Sequence, residues 1–212
     1  MARRTTSGIR SFPCTCFGLH GEGSRGRELR SSFSTQQPFT TTVAASNLRQ
    51  LKTEWIWEKA RSTGFLNAKK YPLKSHENIL VFCDRLPPYF PQKTMGAKPY
   101  VTRRPPSSST NYSGDKGFVS VNTDGSRYPT SILRFPSANA TDRGLHPTQK
   151  PLALLEYLVR TYMRQGDVLL DCCAGSGSSL VAALSTGRRF VGIERDPIYY
   201  ATALERLKQA HK

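Results

Sequence analysis

The chain has 212 residues, enough for one domain or one domain with an insertion, and 31 Lys plus Arg against 15 Asp plus Glu give it a formal charge of +16. That excess points to a polyanionic partner, nucleic acid ahead of an anionic membrane surface, while an aromatic share of 10% still permits a packed core. No run approaches the roughly 18 consecutive apolar residues of a membrane-spanning helix, which excludes one.

Residues 1–32 are rich in Arg, Ser and Gly, lack both helical and strand periodicity, and read as a disordered or unrelated leader. Up to His20 there is no acidic residue, as in organellar transit peptides, but the amphipathic stripe of such a peptide is missing. From Phe33 to residue 85 the chain reads as structured. "PFTTTVAASNLRQL" suits a helix, "TEWIWEK" and "ENILVFCD" suit strands that pair antiparallel at a sheet edge, and "ARSTGFLNAKKYPLKSH" between them suits a loop.

Residues 86–140 turn to Pro, Ser, Thr, Asn, Tyr and basic residues, with short strand-like pieces such as "SILRF", and suggest an insertion or small subdomain. Tyr100, Tyr112 and Tyr128 interleave with Arg103, Arg104, Lys116 and Arg127. Cations meet phosphates and aromatic faces stack on bases, so this is a candidate nucleic-acid surface. A solvated basic loop has the same composition, and composition alone leaves both readings open.

The last region, 141–212, is the clearest. "PLALLEYLVRTYM" sets Leu152, Leu155, Leu158, Val159 and Tyr162 on one helical face, with Pro151 tolerated at its start and Gly166 beyond its end. "DVLLDCC" and "RFVGIE" read as buried strands around the helix "SSLVAALST", and Asp196 followed by Pro197 starts a final helix. This is a parallel α/β unit with a right-handed crossover. The five cysteines, 14, 16, 83, 172 and 173, show no framework spacing. Cys172 and Cys173, adjacent on a strand, point to opposite faces and cannot share a metal, so buried thiols in a reducing, intracellular setting are expected.

Where "VLLDCCAGSGS" ends, Gly175 and Gly177 let backbone pass close to a ligand, and Glu194 closes the next strand 23 residues after Asp171. A carboxylate there is placed to accept two ribose hydroxyls, which implies a nucleoside-containing cofactor. A dinucleotide fingerprint needs a third glycine where Leu180 stands, and Asp171 repels a pyrophosphate but suits an amino group. S-adenosylmethionine fits better than NAD, and a phosphate loop is excluded because no Gly-Lys-Ser/Thr follows.

"LHPTQKPLALLEYLVRTY", "GDVLLDCCAGSGSSLVAAL" and "FVGIERD", with "QQPF", "WIWEK", "GFLNAKK" and "HENILVF" before them, closely resemble the amino-methyltransferases of DNA. With the His146–Pro151 segment ahead of Asp171–Gly177, the order is that of the permuted β class. The resemblance runs from about Phe33 to the end. It implies a Rossmann-like S-adenosylmethionine-dependent methyltransferase fold: α/β with a mixed sheet, incomplete at the N-terminus, plus a small recognition insertion. The implied reaction is methylation of adenine N6 or cytosine N4 in double-stranded DNA, in a prokaryotic or phage setting at the cytoplasmic nucleoid, without metal or membrane. A restriction endonuclease or a second copy would be the further partner. By the same resemblance Asp171, Gly175 and Gly177 line the methionine end of the cofactor and Glu194 its ribose. His146, Thr148 and Lys150 approach it from the other side, and residues 86–140 hold the target-recognition region.

A poorly nucleophilic exocyclic amine needs the family's Asp/Asn/Ser-Pro-Pro-aromatic motif, whose polar acceptors take the amine hydrogens. None precedes Phe33. "LPPY" at Leu86–Tyr89 has the prolines and the ring, but leucine accepts no hydrogen bond and the segment falls late in the family's order. The expectation is therefore a truncated or frameshifted product with no catalytic residue of its own. The alternative to an enzyme is an inactive DNA- or cofactor-binding remnant; an RNA-binding module ranks last.

Overall fold

The computed structural model describes residues 15–23, 26–106, 117–136, 145–146 and 149–211. Pro91–Thr130 form one compact unit, and the chain on either side of them forms the other.

The larger unit is built on a sheet of seven strands: β1 (Thr15–Gly23), β2 (Gly26–Thr35), β3 (Leu51–Thr63), β4 (Lys74–Cys83), β7 (Ile132–Phe135), β8 (Val168–Asp171) and β9 (Arg189–Gly192), in the spatial order β7-β3-β4-β2-β1-β8-β9. The outer pairs β8–β9 and β3–β7 are parallel, while β1 and β4 run against both of their neighbours. Five strands therefore point one way, and β2, β3, β7, β8 and β9 all finish at the same edge. Ligands in open α/β sheets bind at that carboxyl edge.

Among the described residues four helices accompany the sheet: α1 (Phe39–Ser46), α2 (Leu152–Tyr162), α3 (Ser178–Ser185) and α4 (Pro197–Ala210). The apolar stripe of α2 packs Leu155, Leu158, Val159 and Tyr162 against Trp55 and Trp57 of β3, Ile79 and Val81 of β4 and Leu169 of β8. Alternation along β3 buries Trp55 and Trp57. Ile79 through Cys83 are buried without alternation, because β4 lies inside the sheet. The Trp55 indole N–H donates to the Tyr162 hydroxyl at 2.6 Å, fastening α2 to β3. Burial pushes that phenol up to about 12, so it stays neutral.

Several expectations need correction. Residues 15–23 and 26–32, read as part of a disordered leader, lie in β1 and β2, and β1 fills the place beside β8. Pairing with β4 and β8 is a long-range backbone contact, invisible to local periodicity. β3 and β4 do pair antiparallel, but inside the sheet, since β7 covers the far side of β3. Both strands also extend into the segment read as a loop, leaving residues 64–73 as the connection, with a 3₁₀ stretch at Phe65–Asn67. "SILRF" joins the main sheet as β7 and not the insertion. β9, expected to be buried, is an edge strand with Val191 half exposed. Cys172 and Cys173 lie beyond the end of β8 and are exposed, whereas Cys83 is buried.

Within Pro91–Thr130, β5 (Tyr100–Arg104) and β6 (Phe118–Asn122) form a two-stranded antiparallel ribbon, closed at its base by a bridge between Thr94 and Arg127. No helix among the described residues is long and apolar enough to cross a membrane.

Candidate functional site

The turn after β8 is held from three sides. Asp171, fully buried at the strand end, accepts the Cys173 amide at 3.0 Å and the Ser179 hydroxyl of α3. Burial raises its carboxyl above the usual aspartate range, against the pull of those two donors. From just beyond β9, Glu194 accepts the Gly175 amide at 2.7 Å on one oxygen and the Asp196 amide at 2.9 Å on the other. From α4, the Arg206 guanidinium donates to the Ser176 carbonyl at 2.7 Å and the Ser178 hydroxyl at 2.9 Å. Asp196 caps α4 by accepting the Ile198 and Tyr199 amides, which fixes the helix that delivers Arg206.

The two glycines do different jobs. Both are in the left-handed region, Gly175 at φ +53° and Gly177 at φ +75°, where a Cβ is strained. A Cβ on Gly175 would lie 3.2 Å from the His146 ring, so this glycine admits the imidazole over the turn. A Cβ on Gly177 would come within 2.8 Å of the Ala203 methyl, so that glycine serves the close approach of α3 and α4. His146 in turn stands edge-on to Tyr199, with ring centroids 4.3 Å apart. Burial, with Lys150 nearby, lowers its pKa against the opposing pull of Glu194 and Asp196, which keeps the imidazole neutral at pH 7.

The structure thus brings together His146, Asp171, Gly175, Gly177 and Glu194. Thr148 and Lys116 lie outside the described residues. Lys150, near enough to His146 to act on its charge, is itself turned to another partner: its ammonium is buried and bonded at 2.6 Å to Glu77, which also pairs with Lys59 at 2.7 Å and accepts Ser34 and Gln36. This polar cluster occupies the same carboxyl edge, where Ser34 ends β2 and Glu77 faces Trp57 of β3. Sequence reasoning missed Glu77, Lys59 and Arg206. Their partners lie 18 to 73 residues away along the chain, beyond any motif window.

In the second unit, Arg103 and Arg104 stand exposed on β5. Arg127, expected on the nucleic-acid surface, is occupied by structure: its guanidinium donates to Asn122, Ser126 and the Lys98 carbonyl and stacks over Tyr100 at 4.6 Å. Leu86–Tyr89 follow the far end of β4, at the opposite edge of the sheet from the glycine turn. Tyr89 packs there on Tyr162, with ring centroids 6.3 Å apart. That placement removes "LPPY" from the chemistry. Among the described residues no group of three His, Cys, Asp or Glu could hold a metal ion.

Comparison with known proteins fits this geometry. Type II methyltransferase M2.DpnII of Streptococcus pneumoniae is 45% identical over 65 residues, 31% of this chain and 24% of that protein. The matched stretch therefore spans about a quarter of that relative. The crystal structure of the M1.HpyAVI–SAM complex superposes with a TM-score of 0.55 at 21% identity, covering 82% of this chain and 72% of the other. PvuII DNA methyltransferase (cytosine-N4-specific) superposes with a TM-score of 0.56 at 13% identity, covering 91% and 62%. These two likenesses establish the fold, a methyltransferase-type α/β architecture on a mixed sheet. The family profile for DNA methylase, N6_N4_Mtase, matches residues 30–205, and the chain belongs to that family.

Proposed function

We propose that the protein is an S-adenosylmethionine-dependent DNA methyltransferase acting on the exocyclic amine of adenine N6 or cytosine N4. The observation that carries this reading is the prebuilt glycine turn at the carboxyl end of β8, clasped by Glu194 and roofed by His146. Those residues fit the cofactor. The space that a Cβ on Gly175 would fill lies between turn and imidazole. Each Glu194 oxygen, already accepting one amide, has a second lone pair for a ribose hydroxyl. Bound there, S-adenosylmethionine supplies an electrophilic methyl group. The chain's own residues hold the turn rigid before the ligand arrives, so little ordering is left to binding. Neutral His146 adds a flat wall without charge repulsion toward a sulfonium.

Double-stranded DNA is the substrate in this reading, supported by the charge of +16 and by exposed Arg103 and Arg104. A prokaryotic cytoplasm at the nucleoid, with a restriction endonuclease or a second copy as further partner, goes with it; the type II naming of the pneumococcal relative supports that setting. A second reading, binding without transfer, has its own observation. β1 beside β8 runs backwards and presents its beginning at the carboxyl edge, and no Asp/Asn/Ser-Pro-Pro-aromatic segment occurs in the chain.

Calorimetry and a radiolabelled transfer assay on mixed-sequence duplex DNA test both readings. Glu194→Ala should weaken cofactor binding by about 1.5–3 kcal/mol, the scale of charge-assisted hydrogen bonds. Binding unchanged by the substitution would remove Glu194 from the site. Methyl transfer by the purified chain selects the first reading; cofactor and DNA binding without transfer selects the second.

A further inference from the structure

Three of the five most exposed large apolar side chains among the described residues of the larger unit sit together on the β3–β4 hairpin. Phe65 and Leu66 are 76% and 84% exposed and Tyr71 is 70% exposed, with Leu73 beside them. Single exposed apolar residues are ordinary on protein surfaces, but three within seven residues on one tip form a cluster. The tip carries its own backbone hydrogen bonds. The 3₁₀ turn donates Asn67 N–H to the Gly64 carbonyl at 3.0 Å and Ala68 N–H to Phe65 at 3.1 Å. Asn67 accepts Lys70 and Tyr71 in turn, and Thr63 pairs with Lys74 below the tip.

Charge along the hairpin between its two glutamates has one sign only. Between Glu58 and Glu77 the chain has no acidic residue and carries Lys59, Arg61, Lys69, Lys70 and Lys74. Lys59 is consumed in the buried pair with Glu77 that roots the hairpin, and the other four are exposed. Direction matters as well. β3 runs parallel to β8, so the hairpin leaves the sheet at the same edge as the glycine turn.

We propose that this tip is a wedge for double-stranded DNA. Phe65 and Leu66 enter the base stack beside the target, while Arg61, Lys69, Lys70 and Lys74 hold the flanking phosphates. The proposal rests on the methyltransferase reading above. A base amine inside a duplex is out of reach until the base leaves the stack, and apolar side chains inserted between base steps are how proteins hold that opening. A tip already hydrogen-bonded to itself loses less freedom on insertion than an open loop. An anionic membrane surface would also suit apolar residues ringed by cations. The edge shared with the glycine turn favours DNA.

The experiment uses the full chain and a mixed-sequence duplex containing 2-aminopurine, whose fluorescence rises on unstacking. The wild type should bind and raise the signal. The Phe65→Ala, Leu66→Ala double variant should bind about tenfold more weakly, the scale of lost base stacking, with an unchanged salt slope and no fluorescence rise. The Lys69→Gln, Lys70→Gln variant should keep the rise but reduce the log–log salt slope by about 2, one unit per phosphate contact. All four residues are exposed, and melting temperatures should match the wild type. If the wild type binds and neither variant changes affinity, slope or fluorescence, the wedge is refuted while the methyltransferase reading stands. If the wild type does not bind the duplex at all, that reading falls and the wedge with it. Binding of phosphatidylserine vesicles that the Phe65/Leu66 variant abolishes, with DNA binding intact, would also overturn it.

Discussion

Glu77 is one carboxylate shared by two lysines, with Lys150 at 2.6 Å and Lys59 at 2.7 Å. Burial pushes its carboxyl up, but the Lys150 charge and the hydrogen bonds from Lys150, Lys59 and Ser34 outweigh burial and hold it down at about 2, against an ordinary 4.5. A depressed carboxyl stabilises the fold above its unfolded value and loses that contribution as pH falls through the folded one. The window is therefore pH 4.5 down to 2, and the contribution is about 3 kcal/mol. Glu77→Gln strands two buried cations and should cost about 3–5 kcal/mol at pH 7. In urea titrations across the acid window, wild type should converge on the variant; a constant gap would refute the assignment. Gly175 is the counterpart at the turn. Gly175→Ala should cost about 1–2 kcal/mol in left-handed strain and weaken cofactor binding by displacing His146. His146→Ala in that background should not recover stability, because the strain is in the backbone. Recovery in thermal melts would show that the ring contact dominates.

At the scale of elements, α4 controls the turn from outside. Its cap is Asp196, its first residue Pro197, and from the third turn Arg206 reaches back to Ser176 and Ser178. Gly177 lets α3 approach Ala203 closely enough for that reach. Asp196→Ala should therefore cost about 1 kcal/mol in stability, the usual worth of a cap, and Asp196→Asn should cost much less. Chemical denaturation of the two variants distinguishes a lost hydrogen bond from a lost charge. Equal losses would mean that charge, not capping, is what Asp196 supplies. Asp196 was legible in the sequence because an N-cap followed by proline is a local signal. Arg206 was not, because nothing in "ERLKQ" marks one arginine as turned inward.

For the whole molecule, the excess of basic residues predicts binding dominated by phosphate contacts. Affinity for duplex DNA should fall steeply with salt, and replacing Arg103 and Arg104 with Ala should reduce the log–log slope by about 2. Arg127→Ala should act differently. Its guanidinium holds Asn122, Ser126 and Lys98 together, so the loss should appear first as a lower melting temperature. A slope untouched by the Arg103/Arg104 change would place the DNA surface outside β5.

Sequence alone determined the α/β unit from Leu152 to Ala210, the glycine turn and a carboxylate, Glu194, just past the next strand, while its bond to the Gly175 amide came from the structure. Each of these rests on local rules: helical period, buried strand runs, caps and a turn that only glycine relieves. The family likeness was legible for the same reason, since its motifs are contiguous. The tertiary structure decided what depends on partners far along the chain. It put β1 beside β8, moved "SILRF" into the main sheet, left β9 at the edge and sent "LPPY" to the opposite side. It also divided the motif lysine from the motif histidine, turning Lys150 toward Glu77 while His146 stayed over Gly175. Only three residues stand between the two in the chain, yet each follows whichever partner compensates it best: a buried ammonium must find a carboxylate, and a neutral ring only needs a surface to pack on.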